Sequence, residues 1–286
     1  MTGVMLMKCA WSAFINVLPI WMRQQVDKLG KESLLEIRLR LELPPELILI
    51  DRVVTMNRIV TKDDLTFCVN VATQYSPWSS ATVANGYITI EGGHRIGICG
   101  HITQRSDKPI GYRFVTSLCI RVAREFPCIS DNIWKLDSSI LIIGRPGSGK
   151  TTLLRDLIAQ KSNRRGSSVC VIDEKCELFP YYNGESCFNA GTRTDVISGC
   201  CKRDGIEIAI RNMNPDIVAF DEITAAEDCE AMLHAGWCGV QLIGTAHAGS
   251  RQDLITRPIY KPIIENKLFD TLVIMKPDKS WSVERL

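Results

Sequence analysis

The run ILIIGRPGSGKTTLLRDL, residues 140–157, sets Gly144, Gly149, Lys150 and Thr151 at the spacing G-x-x-x-x-G-K-T. Glycines at 144, 147 and 149 let the backbone curl so that its N–H groups point inward at a phosphate chain. The start of the following helix adds partial positive charge. Lys150 is placed to reach the outer phosphates, and the Thr151 hydroxyl to hold Mg²⁺. Gly144, Arg145, Pro146, Gly147, Ser148, Gly149, Lys150, Thr151 and Thr152 are therefore the expected cradle of a nucleoside triphosphate.

Three further segments end apolar runs on groups able to do chemistry. PDIVAFDEI closes on Asp221 and Glu222. A carboxylate at the end of an apolar strand is costly to desolvate unless it meets a cation or a polar network. Asp221 is assigned to Mg²⁺, directly or through water, and Glu222 to the attacking water as general base. VCVIDEKCEL closes on Asp173, Glu174 and Glu177, more acids than a helix cap requires. They are expected to organise metal-bound water or to orient Glu222. QLIGTAHAGS closes on Thr245 and His247, one of only four histidines. A strand inserted between the cradle strand and the Asp221 strand would bring His247 to the γ-phosphate, whose presence an imidazole can sense. His234 is expected to be structural, and His94 and His101 carry no motif.

The elements that must position these groups alternate from Ile140 onward. Apolar strands ILIIG, SVCVID, DIVAF, VQLIGTAH and TLVIMK are separated by helical segments near 150–162, 204–213 and 225–236. This alternation predicts an α/β fold with a mostly parallel sheet covered on both faces, which binds ligands at the carboxyl ends of its strands. Residues 1–125 predict a smaller mixed α/β domain. It has an opening amphipathic helix, a strand at EIRLR, a turn at Pro44–Pro45, a helix over 62–72, a hairpin turning at Gly92–Gly93 and a strand over Val115–Glu125. Residues 126–139 are expected as a linker, leaving 140–286 as the nucleotide domain.

Composition sets limits. Lys plus Arg is 34 and Asp plus Glu is 32, so the net charge of +2 gives no bulk argument for nucleic acid or an anionic membrane. The basic stretch KSNRRGSS, 161–168, is the one candidate for tracking a strand of nucleic acid and reads as a solvated turn. No apolar run is long enough for a membrane span. The twelve cysteines lack C-x-x-C spacing. Most lie in apolar runs, as Cys68, Cys99, Cys119 and Cys170 do, and are expected to be small buried hydrophobes rather than zinc ligands.

GRPGSGKTT, VIDEKCEL, AIRNMNPDIVAFDEI and LIGTAHAGS, in that order, resemble the phosphate loop, two acidic strands and histidine box of type II and type IV secretion ATPases and pilus motors. With EIRLRLELPPEL, GGHRIGICG, VTSLCIRVARE and GTRTDVISGCCKRDG added, nearly the whole chain resembles the stage III sporulation AA family within that superfamily. The resemblance implies a RecA-like P-loop ATPase domain that uses ATP and Mg²⁺. It implies a cytoplasmic hexamer on the mother-cell side, with membrane proteins of a sporulation channel as partners and no nucleic acid. The positions that carry over are Lys150, Thr151, Glu174, Glu177, Asp221, Glu222 and His247. Arginines supplied by a neighbouring subunit are expected from among Arg193, Arg211, Arg95 and Arg121. The tetracysteine zinc module of many secretion ATPases is not found in this sequence. A nucleic-acid translocase of the same core and an ATP-binding switch are the competing readings.

Overall fold

The computed structural model describes residues 7–75, 86–105 and 108–286. Its contacts divide into two units, 7–125 with 181–187, and 126–180 with 188–286. Each has its own apolar core.

The first unit is built on an antiparallel sheet: β1 (Leu34–Arg40), β2 (Glu46–Leu49), β3 (Val53–Thr55), β4 (Tyr87–Thr89), β5 (Arg95–Arg105) and β6 (Lys108–Arg121), in the order β3-β2-β1-β6-β5-β4. The opening apolar stretch forms two helices, Trp11–Val17 and Ile20–Ser33, because Pro19 interrupts the hydrogen-bond ladder between them. They bury Phe14, Val17, Met22 and Val26 against the sheet side chains Ile37, Leu39, Ile96 and Ile120. The helix Lys62–Ala72 starts on a reciprocal cap between Thr61 and Asp64, and its bounds match the expectation. Strand β6 begins earlier than expected, at Lys108. Residues 108–114 lack apolar alternation and are held as a strand by pairing with β5.

The second unit carries the predicted α/β sheet. Strands β7 (Ile140–Ile143) and β8 (Val169–Asp173) come first. A short hairpin of β9 (Tyr181–Tyr182) and β10 (Glu185–Ser186) follows in the chain but clusters with the first unit. Then come β11 (Thr194–Ser198), β12 (Ile217–Phe220), β13 (Gln241–Ala246), β14 (Thr271–Met275) and β15 (Trp281–Arg285). The order is β11-β8-β12-β13-β7-β14-β15, parallel throughout except for β15 at one edge. Every residue of β7, β8 and β12 is buried. That pattern marks a sheet covered on both faces and explains the unbroken apolar runs. Strands β11 and β15 escaped the sequence reading because, as edge strands, they lack such runs.

Residues 126–139, expected as a linker, cluster with the second unit. The buried Asp156 carboxylate accepts the backbone N–H groups of Cys128 at 2.7 Å and Ser130 at 2.6 Å, which holds the segment down. Lys161 Nζ donates to the Leu136 carbonyl. The stretch 161–168 is a solvated turn only in part, with residues 163–166 exposed and Lys161, Ser162 and Ser167 buried. Lys161 is fully buried, and burial brings its ammonium pKa down to about 8. Arg165 pairs with Asp137 at 2.5 Å and the Arg164 guanidinium lies over Trp134. The cysteine expectation also needs correction. All twelve are free, but only Cys68, Cys170 and Cys229 are buried, while Cys99, Cys128, Cys201 and Cys238 are exposed. Cys99 sits where β5 leaves the core, so its apolar neighbours in sequence do not enclose it. Among the described residues no helix is long and apolar enough to cross a membrane.

Candidate functional site

The strand order determines the site. β13 lies between β7 and β12, with Ala246 opposite Ile143 and Gly244 opposite Phe220. In that register Asp221 is level with Thr245, and the cradle, the two acids and His247 leave the same edge of the sheet. On the other side of β12, Phe220 is opposite Ile172, so Asp173 is level with Asp221 and Glu174 with Glu222.

After β7 the chain turns through Gly144–Gly149 into the helix Lys150–Gln160. Gly147 and Gly149 have φ of 75° and 98°, in the left-handed region that glycine adopts without strain. A Cβ on Gly144 would stand 2.5 Å from Ser148 Oγ and 2.8 Å from Met275 Cβ, so only glycine fits there. The helix begins at Gly149 with no side-chain cap, which leaves its first N–H groups open to an anion. Arg145, Pro146 and Gly147 face solvent, whereas Ser148 and Lys150 are buried. Ser148 Oγ has no hydrogen-bond partner among the described residues. Lys150 Nζ donates to the carbonyls of Gly144 (3.1 Å) and Arg145 (3.2 Å) and lies 3.0 Å from His247 Nδ1. Among the described residues no carboxylate is within ion-pair distance of it. Desolvation lowers the Lys150 pKa, and the Glu222 and Asp221 charges oppose that shift. A buried ammonium without a direct counter-ion, an orphaned hydroxyl and an uncapped helix start together fit a phosphate group.

His247 connects this ammonium to the second strand end. Its Nε2 lies 2.9 Å from Glu222 Oε1, and its backbone N–H donates to Tyr260 Oη at 3.2 Å. An ammonium only donates, so Nδ1 accepts from Lys150 and Nε2 carries the hydrogen that faces Glu222. Asp221 is fixed from both sides. Its Oδ2 accepts from Thr151 Oγ1 at 3.1 Å, and its Oδ1 from Thr245 Oγ1 at 2.7 Å and from the Glu222 N–H at 3.0 Å. The Thr151 hydroxyl beside the Asp221 carboxylate is a pair of hard oxygen donors of the kind Mg²⁺ takes. Among the described residues no group of three or more His, Cys, Asp or Glu side chains is placed to hold a metal by itself. A cation here would therefore rely on Thr151, Asp221 and phosphate oxygens.

At the third strand end, Asp173 and Glu174 have separate partners. Asp173 is buried, and its carboxylate accepts the N–H groups of Glu177, Leu178 and Phe179 at 2.8–3.0 Å. Burial pushes its pKa up, only partly offset by those three donors, and the neighbouring Asp221 charge adds to the rise. These three bonds shape the turn after β8. Glu174 Oε2 is taken by Lys202 Nζ at 2.5 Å. Glu177 is half-buried on the same turn. Lys202 and Thr245 complete the hydrogen-bonded framework. Thr245 was named at its strand end without a role, and Lys202 was not singled out.

The candidate arginines are dispersed. Arg211 pairs with Glu207 one turn earlier in its helix, Arg121 Nε is 3.6 Å from Glu36, and Arg95 lies over the Tyr87 ring. Arg193 is exposed just before β11, where its backbone N–H is bound by Ser162 Oγ. His234 contacts Glu207 on the surface. His94 is buried between the Ala10 carbonyl and the Ala123 N–H, a structural role.

Comparison with known proteins gives the family and the fold. The family model described as "Sporulation stage III, protein AA" matches residues 13–283. Stage III sporulation protein AA of Bacillus subtilis (strain 168) is 34% identical over 271 residues, covering 89% of this chain and 87% of that protein. The uncharacterized protein ycf45 of Cyanidium caldarium is 30% identical over 187 residues, covering 61% of this chain and 54% of that protein. Among solved structures, the ATPase DotB of Legionella pneumophila aligns with a TM-score of 0.62 at 17% identity, covering 94% of this chain and 80% of that one. The pilus retraction motor PilT with bound ADP aligns at 0.59 and 14% identity, covering 91% and 78%. These two likenesses show that the chain shares a RecA-like α/β fold with those proteins. With a match running through nearly the whole length, the chain belongs to the sporulation stage III protein AA family.

Proposed function

We propose that this protein is a Mg²⁺-dependent ATPase, converting ATP and water to ADP and phosphate. In this reading it works as the motor of a sporulation-associated, secretion-like membrane channel. It acts as a ring, a hexamer, on the cytoplasmic mother-cell side and docks to the channel's membrane proteins. The second unit is the ATPase domain and the first unit the N-terminal domain that moves against it. The observation that supports this most is the chain Lys150–His247–Glu222, which links the cradle to a carboxylate beside the Thr151–Asp221 pair.

Each residue has a role in that reaction. The loop N–H groups and Lys150 bind and orient the phosphates. Thr151 and Asp221 would hold Mg²⁺, which supplies positive charge to neutralise the phosphate oxygens. Glu222 accepts a proton from the attacking water at its carboxylate. His247, joined to both Lys150 and Glu222, changes partners when a phosphate takes the ammonium, and so reports the phosphate's arrival to the segment after β13.

Lys150→Ala should weaken ATP binding about 100-fold or more, the loss of a charged hydrogen-bond partner and its buried charge. Glu222→Gln should bind ATP normally and turn over roughly 10²–10⁴-fold more slowly. Both are read by nucleotide titration and phosphate release. ATPase activity per subunit should rise with protein concentration if neighbouring subunits complete each site. Constant activity per subunit on dilution would contradict the ring.

A further inference from the structure

Lys202 opens the helix Lys202–Asn212 and is only 3% exposed. Withdrawing a lysine from water is costly unless anions compensate it, and two carboxylates do. Its Nζ is 2.5 Å from Glu174 Oε2 and 3.9 Å from Asp228 Oδ2. The same Asp228 oxygen accepts the N–H groups of Thr224 at 3.3 Å and Ala225 at 3.2 Å, the second and third residues after Glu222. Glu174 stands at the end of β8, level with Glu222 across the β8–β12 pairing. On the opposite side, the Ile223 N–H donates to the Thr245 carbonyl at 2.9 Å. The loop that carries Glu222 is thus tied to β13 by a backbone bond and to β8 through one buried ammonium.

We propose that Lys202 is a positioning residue for Glu222. By joining Glu174 to Asp228 it holds the 222–228 loop where Glu222 can meet the attacking water. This rests on the ATPase reading above. It also assigns Glu174 a role exerted through Lys202 and not on the nucleotide. Without the ammonium, Glu174 and Asp228 are two carboxylates around one buried point, and like charges so placed repel. The loop moves, while Lys150 and Thr151, on a different element, do not. The effect falls on turnover and spares binding.

The test compares wild type, K202M, K202R and K202M/D228N, measuring ATP turnover and the affinity for a non-hydrolysable ATP analogue. K202M should slow turnover between about ten- and a hundredfold, the cost of a small misplacement, with analogue affinity within about twofold of wild type. K202R keeps the charge and should stay close to wild type. In K202M/D228N the asparagine oxygen still accepts the Thr224 and Ala225 N–H groups and the repulsion is gone, but the tie to Glu174 is still missing, so turnover should recover in part. Wild-type turnover in K202M, a parallel loss of affinity, or no recovery in the double variant would each overturn the proposal. Hydrogen exchange at the 224 and 225 amides reads the same clamp without catalysis. It should quicken in K202M and slow part of the way back in the double variant, and unchanged exchange would overturn it. A wild-type protein that releases no phosphate would refute the ATPase reading alone, since the exchange measurement still decides the clamp.

Discussion

His247 shows how much one side chain's protonation is dictated by its neighbours. Lys150 offers hydrogens and takes none, so Nδ1 must be bare, and the hydrogen on Nε2 then faces Glu222. The imidazole ¹⁵N shifts of the nucleotide-free protein should therefore report an unprotonated Nδ1 and a protonated Nε2. The reverse tautomer would contradict the Lys150–His247–Glu222 chain. Binding a phosphate-bearing ligand should perturb both nitrogens, because Lys150 then has a better acceptor. Asp173 makes the complementary point. Its acid-rich neighbourhood suggests a metal, yet three backbone N–H groups occupy both its oxygens. A buried carboxylate with that many donors is a turn-former.

At the scale of elements, the site depends on how closely β12 and β13 approach. Gly244 lies opposite Phe220, and a Cβ there would meet Phe220 Cε2 at 2.3 Å. Gly244→Ala should displace the ring that immediately precedes Asp221. Overpacking of this kind costs about 1–3 kcal/mol, which thermal unfolding would register. Turnover should fall further than nucleotide affinity, because the cradle hangs from β7 on the other side of β13. A variant with wild-type stability would mean that the strands are less tightly packed than described here. The helix Lys150–Gln160 is tied down by its own residue Asp156, which binds the 126–139 segment. That segment is part of the element that aims the cradle.

For the molecule as a whole, two separate cores mean that each unit has its own response to acid. In the first unit, burial holds His94 at a pKa of about 4, well below its ordinary 6.5, and the nearby Arg124 charge pulls the same way. The unfolded chain takes up a proton near pH 6.5, while the folded unit refuses it until about pH 4. Stability from this group is complete above pH 6.5 and is lost as pH falls from 6.5 toward 4, by at most about 3 kcal/mol. His94→Gln can accept from Ala123 and donate to Ala10 without titrating. It should flatten the dependence of the first unit's unfolding midpoint on pH across that window. An unchanged slope would show that other groups govern acid sensitivity.

Much of the site was legible in the residues alone, because its parts are local. Four residues of apolar strand, a glycine turn and a helix start encode the cradle within one short stretch, and backbone geometry there depends on near neighbours. The unbroken apolar runs likewise announced a sheet buried on both faces, and its edge strands went unseen for want of that signal. What only the tertiary structure decided is who meets whom. Lys150 and His247 are 97 residues apart and Lys202 and Glu174 are 28 apart. A charged side chain's partner is chosen by strand order and register, which no short window of sequence contains. The same reason explains why Cys99 proved exposed, Lys161 buried and residues 181–187 part of the other unit: burial is a property of what packs around a residue in space, and sequence neighbours determine only part of it.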